Sequence, residues 1–313
     1  MSEPPLPNGA TRLKRAVRPV MMVLALGFVI WTGVDLAKNW ESKAIHIDAL
    51  WLGVAMLPPL GALYLQAAAW VVLIEHLSGR RVPRRAAFAL YYDSQFARYT
   101  PGKVGLPAVR LAGADKIGVS ARTVGASILV EMLSWLASGG IVGCLLLVLG
   151  PTVSDGLLHV FARFATVLLG LAVISVLALA FIDRTRLPAR LNALLALDGR
   201  GPLVPLRVPL LQVGHWLAWG AHGVLLALSL GAPLHAAAAG AGAVCLGIVL
   251  GFVALFAPAG AGVREAVMAA SAAPVLGAPA AIALGILARA GSLVGDVVAW
   301  LTARAALRYG KSA

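Results

Sequence analysis

Ionisable side chains are sparse in this sequence, and those that interrupt its apolar runs fall into two similar groups. The first is Arg98 followed by Tyr99-Thr100-Pro101-Gly102-Lys103-Val104-Gly105, with Arg110 beyond it. The second is Ala257-Pro258-Ala259-Gly260-Ala261-Gly262-Val263-Arg264-Glu265. Each is a proline–glycine break beside an arginine, and each precedes a long apolar segment with an ionisable residue eleven positions in: Glu131 counted from Ser120, Arg289 counted from Ala278. Pro101-Gly102, and Pro258 with Gly260 and Gly262, are poor choices inside a continuous helix. At a hairpin tip they free backbone N–H and C=O groups, which must be satisfied within the protein or in a wet cavity. Freed N–H groups at a helix start attract anions. With Lys103, Arg110 and Arg264 alongside, a phosphate is the natural guest. Ordinary turns with interfacial cations would explain one such motif; its recurrence favours the anion site.

Glu131 falls near the middle of its apolar segment, about 16 Å from the start at ~1.5 Å per residue, and Arg289 has the matching place in the later one. An isolated charge at that depth costs at least ~2.5–3.5 kcal/mol. Opposite signs at matching depth predict a Glu131–Arg289 pair, either structural or opened by an anionic headgroup. Asp296, seven residues beyond Arg289, shares its helix face and competes for it, while Glu265 adjoins Arg264 and neutralises it. Arg98 and Tyr99, with Tyr91, Tyr92 and Phe96, put a cation and aromatics at headgroup level, as interface anchors do.

Other chemistries find little support. No Walker loop, H-E-x-x-H, Gly-x-Ser-x-Gly or Cys-x-x-Cys is present. Asp93, Asp115 and Asp183 are dispersed, so no catalytic cluster forms and no enzyme activity is expected. Cys144 and Cys245 sit in apolar runs without ligand spacing. His215 and His222 share a helix face, but a zinc site would need cysteine or carboxylate partners that the sequence does not bring near. No metal or cofactor is expected, which leaves an ion gradient or the lipid gradient as the energy source.

The elements that would position these residues are membrane helices. Apolar residues make up 60% of the 313 and charged residues 12%, where a soluble domain carries roughly 25% charge; mean hydropathy is +0.88. The net charge of +13 reads as positive-inside loops attracted to anionic lipid, not as nucleic-acid binding. The expected fold is an all-α polytopic membrane protein with eight helical hydrophobic segments: six full spans and two re-entrant hairpins in an inverted three-plus-three repeat. Residues 1–14 form a disordered cytoplasmic tail, 15–308 a single transmembrane domain and 309–313 a second tail. Arg12, Lys14, Arg15 and Arg18 resemble a signal-peptide start, but no cleavage site follows, so the first helix is retained. Repeat 1 (about 19–149) has spans 19–37, 49–75 (kinked at Pro58-Pro59) and 120–149, with a hairpin over 84–118. Repeat 2 (about 158–303) has spans 158–182, 208–230 and 278–303, with a hairpin over 236–277. The basic stretches, namely the N-terminus, 80–85, 183–207 and the C-terminus, belong in the cytoplasm. The placement of 236–256 is the pivotal assumption, because that segment is long enough to span. Gly139-x-x-x-Gly143, Gly247-x-x-x-Gly251 and Gly291-x-x-x-Gly295 permit close helix packing.

At these residues the chain resembles the lysylphosphatidylglycerol synthase transmembrane-region family, also described as flippase-like membrane proteins. The resemblance rests on Tyr99-Thr-Pro-Gly-Lys103 with Arg110, Gly118-Val-Ser120, Glu131, Pro258-Ala-Gly-Ala-Gly-Val-Arg-Glu265 and Arg289, and covers roughly residues 15–308. Pro258-Ala-Gly stands where Pro-Gly-Gly is commoner. The resemblance implies a bacterial inner-membrane protein handling lipids. In relatives, similar regions are associated with flipping aminoacylated phosphatidylglycerol or with polyprenyl-phosphate-linked sugars. Because the sequence ends at Ala313 without an aminoacyl-transferase domain, synthase activity is not expected. The leading expectation is a translocase for an anionic headgroup, on a phospholipid or a polyprenyl phosphate. The alternative is a transferase or accessory subunit in cell-envelope synthesis. Membrane lipid is the expected partner, with envelope-biosynthesis enzymes and a second copy of the chain left open.

Overall fold

The computed structural model describes residues 47–98, 104–149, 202–254, 260 and 262–309. The spans expected at 19–37 and 158–182, the N-terminal tail, residues 310–313, and Tyr99, Pro101, Gly102, Lys103 and Pro258 lie outside the described residues. Every regular element among the described residues is helical.

Helix α1 (Ala49–Ala55) starts at Asp48, whose Oδ1 accepts from the N–H groups of Leu50 (2.8 Å) and Trp51 (3.1 Å), a side-chain cap for donors that have no helical partner. It breaks before α2 (Pro58–Ser78), the expected kink at Pro58-Pro59. Pro59 has no N–H, so the Ala55 carbonyl four residues earlier loses its helical donor. His222 Nδ1 supplies one at 2.6 Å.

That contact is one rung of an antiparallel ladder between α1–α2 and α6 (Arg207–Ser229). Asp48 N–H donates to Ser229 O (2.8 Å) at one end. His215 Nδ1 donates to Ala62 O (2.8 Å) midway, and His76 Nε2 to Pro202 O (2.8 Å) at the other end. His215 Nε2 accepts from Trp135 Nε1 at 3.0 Å. Indole only donates and a carbonyl only accepts, so the ring is the neutral Nδ1–H tautomer. The zinc reading of these histidines gives way to backbone satisfaction, and no group of residues suited to a metal occurs among the described residues.

Gly79, in the left-handed region at φ 65, ends α2. Helices α3 (Arg84–Ala97) and α4 (Gly105–Ala112) then fold back on each other, with Ser94 opposite Arg110 and Leu90 opposite Gly113. At 14 and 8 residues neither reaches the ~20 needed to cross a bilayer. A 3-10 turn (Ala114–Ile117) leads to α5 (Ala121–Leu149). Helices α7 (Leu234–Val253) and α8 (Val263–Leu276) make a second antiparallel hairpin, in which Gly247 and Gly251 seat Met268 and Arg264. A side chain on Gly260, at φ 73, would meet Gly251 O at 2.7 Å, so both backbone angle and space require glycine there. Helix α9 (Ala278–Tyr309) completes the described chain.

Among the described residues, four helices are long and apolar enough to cross a membrane: Ala49–Ser78 through the kink, Ala121–Gly143, Leu234–Val253 and Ala278–Arg308. The segment expected to re-enter at 236–256 is thus a helix of crossing length. The span expected at 208–230 has 23 residues but is not among the four. Its Gln212, His215 and His222 are buried among neighbouring helices, where a polar side chain meets protein instead of lipid.

The first hairpin starts from the end where α2 finishes. The second starts from the opposite end, where α1 begins and α6 finishes. Arg80, Arg81, Arg84, Arg85, Lys116, Arg122 and Arg207 are all exposed, and the contacts above collect them at the first of these ends. The three Gly-x-x-x-Gly pairs all lie at helix contacts: Gly139 meets Trp216, Gly247 meets Met268, and Gly291 meets His222.

Candidate functional site

Residues of both hairpins, Arg98 and Leu106 of the first and Phe252 and Arg264 of the second, line one cavity of about 230 Å³. Its walls are largely apolar, with Leu63, Ile128, Met132, Ile248 and Phe252 among them, yet Arg98, Arg110, Arg264 and Arg289 all line it, against one lining carboxylate, Glu131. The lining charge is therefore +3, and it falls to +1 when the ion-pair partners Glu265 and Asp296 are counted.

Arg110 and Glu131 form an enclosed part of the wall. Arg110 is 1% exposed and Glu131 4%. Arg110 Nη1 donates to Glu131 Oε2, and its Nε donates to Ser94 Oγ at 2.8 Å. The guanidinium lies over the rings of Tyr91 (4.4 Å) and Trp70 (4.8 Å), and Trp70 is fixed in turn by Ser127 Oγ at 3.0 Å. Glu131 Oε1 accepts from Gln66 Nε2 (2.9 Å) and Tyr91 OH (3.3 Å). A buried pair repays its desolvation only with such additional hydrogen bonds.

The second hairpin repeats this arrangement with the signs exchanged. Its acid, Glu265, accepts from Arg289 Nη1 on the following helix at 2.8 Å. The other carboxylate oxygen accepts the Gly262 N–H at 2.7 Å, so the same side chain caps α8. Arg264 points the other way, donating to Ser292 Oγ at 2.7 Å, with its guanidinium 5.7 Å from the Trp219 ring.

Three expected pairings are corrected here. Glu131 and Arg289 do not pair with each other, because each meets a residue of the hairpin before it. Glu265 serves Arg289 rather than its neighbour Arg264, since adjacent helical residues point about 100° apart. Asp296 does not compete for Arg289; its Oδ2 accepts from Arg98 Nη2 at 2.6 Å. Arg98 also donates to Gln95 Oε1 at 2.9 Å. Of the expected site residues, Arg98, Arg110, Glu131, Arg264 and Arg289 reach one cavity, Glu265 and Asp296 bond two of them, and Gly260 and Gly262 shape the second tip.

The sequence reading passed over Gln66, Trp219 and Ser292, which share the cavity. Gln66 was open to detection as a lone amide deep within an apolar span. Ser292 falls between Arg289 and Asp296 on one helical stripe.

The fold and cavity define an all-helical integral membrane protein with a buried, arginine-rich chamber. The chain belongs to the family described as the lysylphosphatidylglycerol synthase TM region, which matches residues 19–299. That membership associates it with the handling of membrane lipids. No curated protein and no solved structure matches the chain.

Proposed function

We propose that this protein is a lipid translocase that moves an anionic headgroup, carried by a phospholipid or a polyprenyl phosphate, across the bacterial inner membrane. The observation that carries this reading is the set of four arginines on the wall of one cavity inside an apolar helix bundle. Charges so placed are costly unless they serve a pathway or a partner, and a phosphate is the partner that matches several guanidinium groups at once. At about 230 Å³ the chamber lies below the ~300–1,000 Å³ of drug-sized sites. It suits a headgroup whose tails stay in the bilayer. Family membership and the two hairpins from opposite ends support the same reading. In it the hairpins dip from opposite leaflets, the halves form an inverted repeat, and the basic end with both termini faces the cytoplasm.

Proteoliposomes containing phosphatidylglycerol with an acyl-chain fluorophore, quenched from outside by dithionite, test this directly. Wild-type protein should accelerate inward and outward exchange, and Arg264→Ala and Arg289→Ala should each lower the rate about tenfold or more. A parallel arm with labelled polyprenyl phosphate separates the two lipid sources. Unchanged exchange by both folded variants would reject the site. Cysteines placed at Val104 and Gly262, in a chain lacking Cys144 and Cys245, should react with impermeant maleimide from opposite sides.

A further inference from the structure

The hydrogen-bond acceptors on the cavity wall are mostly engaged by other protein groups. Glu131 has Arg110, Gln66 and Tyr91 on its two oxygens. His215 uses both ring nitrogens, and Gln95 Oε1 holds Arg98. Gln66 differs in that the group it leaves open is an acceptor. Its amide orientation is fixed, because an ionised carboxylate accepts only, so Nε2 must face Glu131 and Oε1 must face away. Gln66 is 5% exposed, lines the cavity, and its Oε1 has no hydrogen-bond partner among the described residues. A buried acceptor left in this state is costly, and a ligand that answers it gains the difference.

Resting on the translocase reading, we infer that Gln66 is a specificity-determining residue that accepts a hydrogen bond from a hydroxyl of the headgroup, so the substrate class is a phosphodiester bearing a neutral polyol. The arginines take the phosphate and Gln66 Oε1 takes the hydroxyl. An ammonium could also donate to Gln66, but it would enter a chamber lined by four arginines and one carboxylate, and both oxygens of that carboxylate are already engaged. Electrostatics therefore favours the uncharged donor. Trp135 and Trp219, which also line the chamber, offer apolar faces to the carbon skeleton of such a headgroup.

The test compares lipids of equal charge. Phosphatidylglycerol and phosphatidylmethanol each carry one phosphodiester anion, and only the first has headgroup hydroxyls. Retention of each by the purified protein is read by native mass spectrometry, and exchange of each is read in proteoliposomes. Wild-type protein should prefer phosphatidylglycerol by about tenfold. Gln66→Met should bring the ratio of the two toward parity. A matched pair of decaprenyl methyl phosphate and decaprenyl hexosyl phosphate, each a phosphodiester with one charge, repeats the comparison for the other lipid source. Parity in the wild-type protein overturns the role of Gln66 while leaving the anionic-headgroup reading intact, and this arm needs no variant to fold. Preference for phosphatidylethanolamine, or retention of no anionic lipid, overturns both.

Discussion

Arg98 at the tip of the first hairpin bonds Asp296 on α9 at 2.6 Å, so an element from the first half of the chain is tied to the last helix of the second. A companion contact runs along the same seam with the charges exchanged: Asp93 on α3 accepts from Arg304 and Trp300 on α9. The two partners of the Arg98–Asp296 pair differ in exposure, 29% for the arginine side chain and 2% for the carboxylate. Arg98→Ala therefore takes a charged donor from a buried carboxylate, whereas Asp296→Asn leaves an arginine that can turn outward. The first should cost about 1–3 kcal/mol and the second less than about 1 kcal/mol. Thermal unfolding in detergent ranks them, and equal losses would contradict the asymmetry.

The Arg110–Glu131 pair predicts strong non-additivity. Glu131→Gln leaves Arg110 charged and enclosed, and should cost about 3–5 kcal/mol. Replacing both residues with methionine should cost less than that single change, since no uncompensated charge then remains. A double-mutant cycle on unfolding in detergent gives the coupling. Additive losses would mean that the two groups act independently.

Helices α6 and α7 cross where Gly223 and Gly240 bring their backbones together, and a methyl on either would collide with the other's carbonyl. Gly223→Ala should therefore destabilise by about 1–3 kcal/mol through forced separation. Gly61 on α2 has nothing within 4 Å of its would-be side chain. Gly61→Ala should be neutral or gain up to about 1 kcal/mol from helix propensity. The contrast, read by unfolding temperature, separates packing from propensity.

The imidazole that answers the Ala55 carbonyl allows a rescue experiment. His222→Ala should cost about 1–3 kcal/mol by leaving that carbonyl without a donor. Adding Pro59→Ala restores an N–H four residues along the helix and should recover part of the loss. A double variant no more stable than His222→Ala would show that the histidine acts through packing alone.

Much of the architecture was legible because proline, glycine and span length are local signals. The kink at Pro58-Pro59, the short helices around the first break and the apolar helices after Ser120 and Ala278 follow from composition and a period of about 3.6 residues. What stayed hidden was azimuth. Depth along a helix can be counted, so Glu131 and Arg289 were matched; which side of the helix meets which neighbour cannot, so Arg110 and Glu265 were missed as their partners. Hydropathy likewise treats every helix as facing lipid, and α6 faces protein on the side that carries Gln212, His215 and His222.

Opposite walls of the chamber are far apart in synthesis. Arg98 leaves the ribosome 198 residues before Asp296, and Ser292 and Arg289 emerge nearly as late. Gln95 Oε1, three residues before Arg98, can hold the guanidinium early, but the Asp296 carboxylate arrives only with α9. Assembly is thus two-staged: earlier helices are first accommodated individually, and the chamber closes only once α9 has been made.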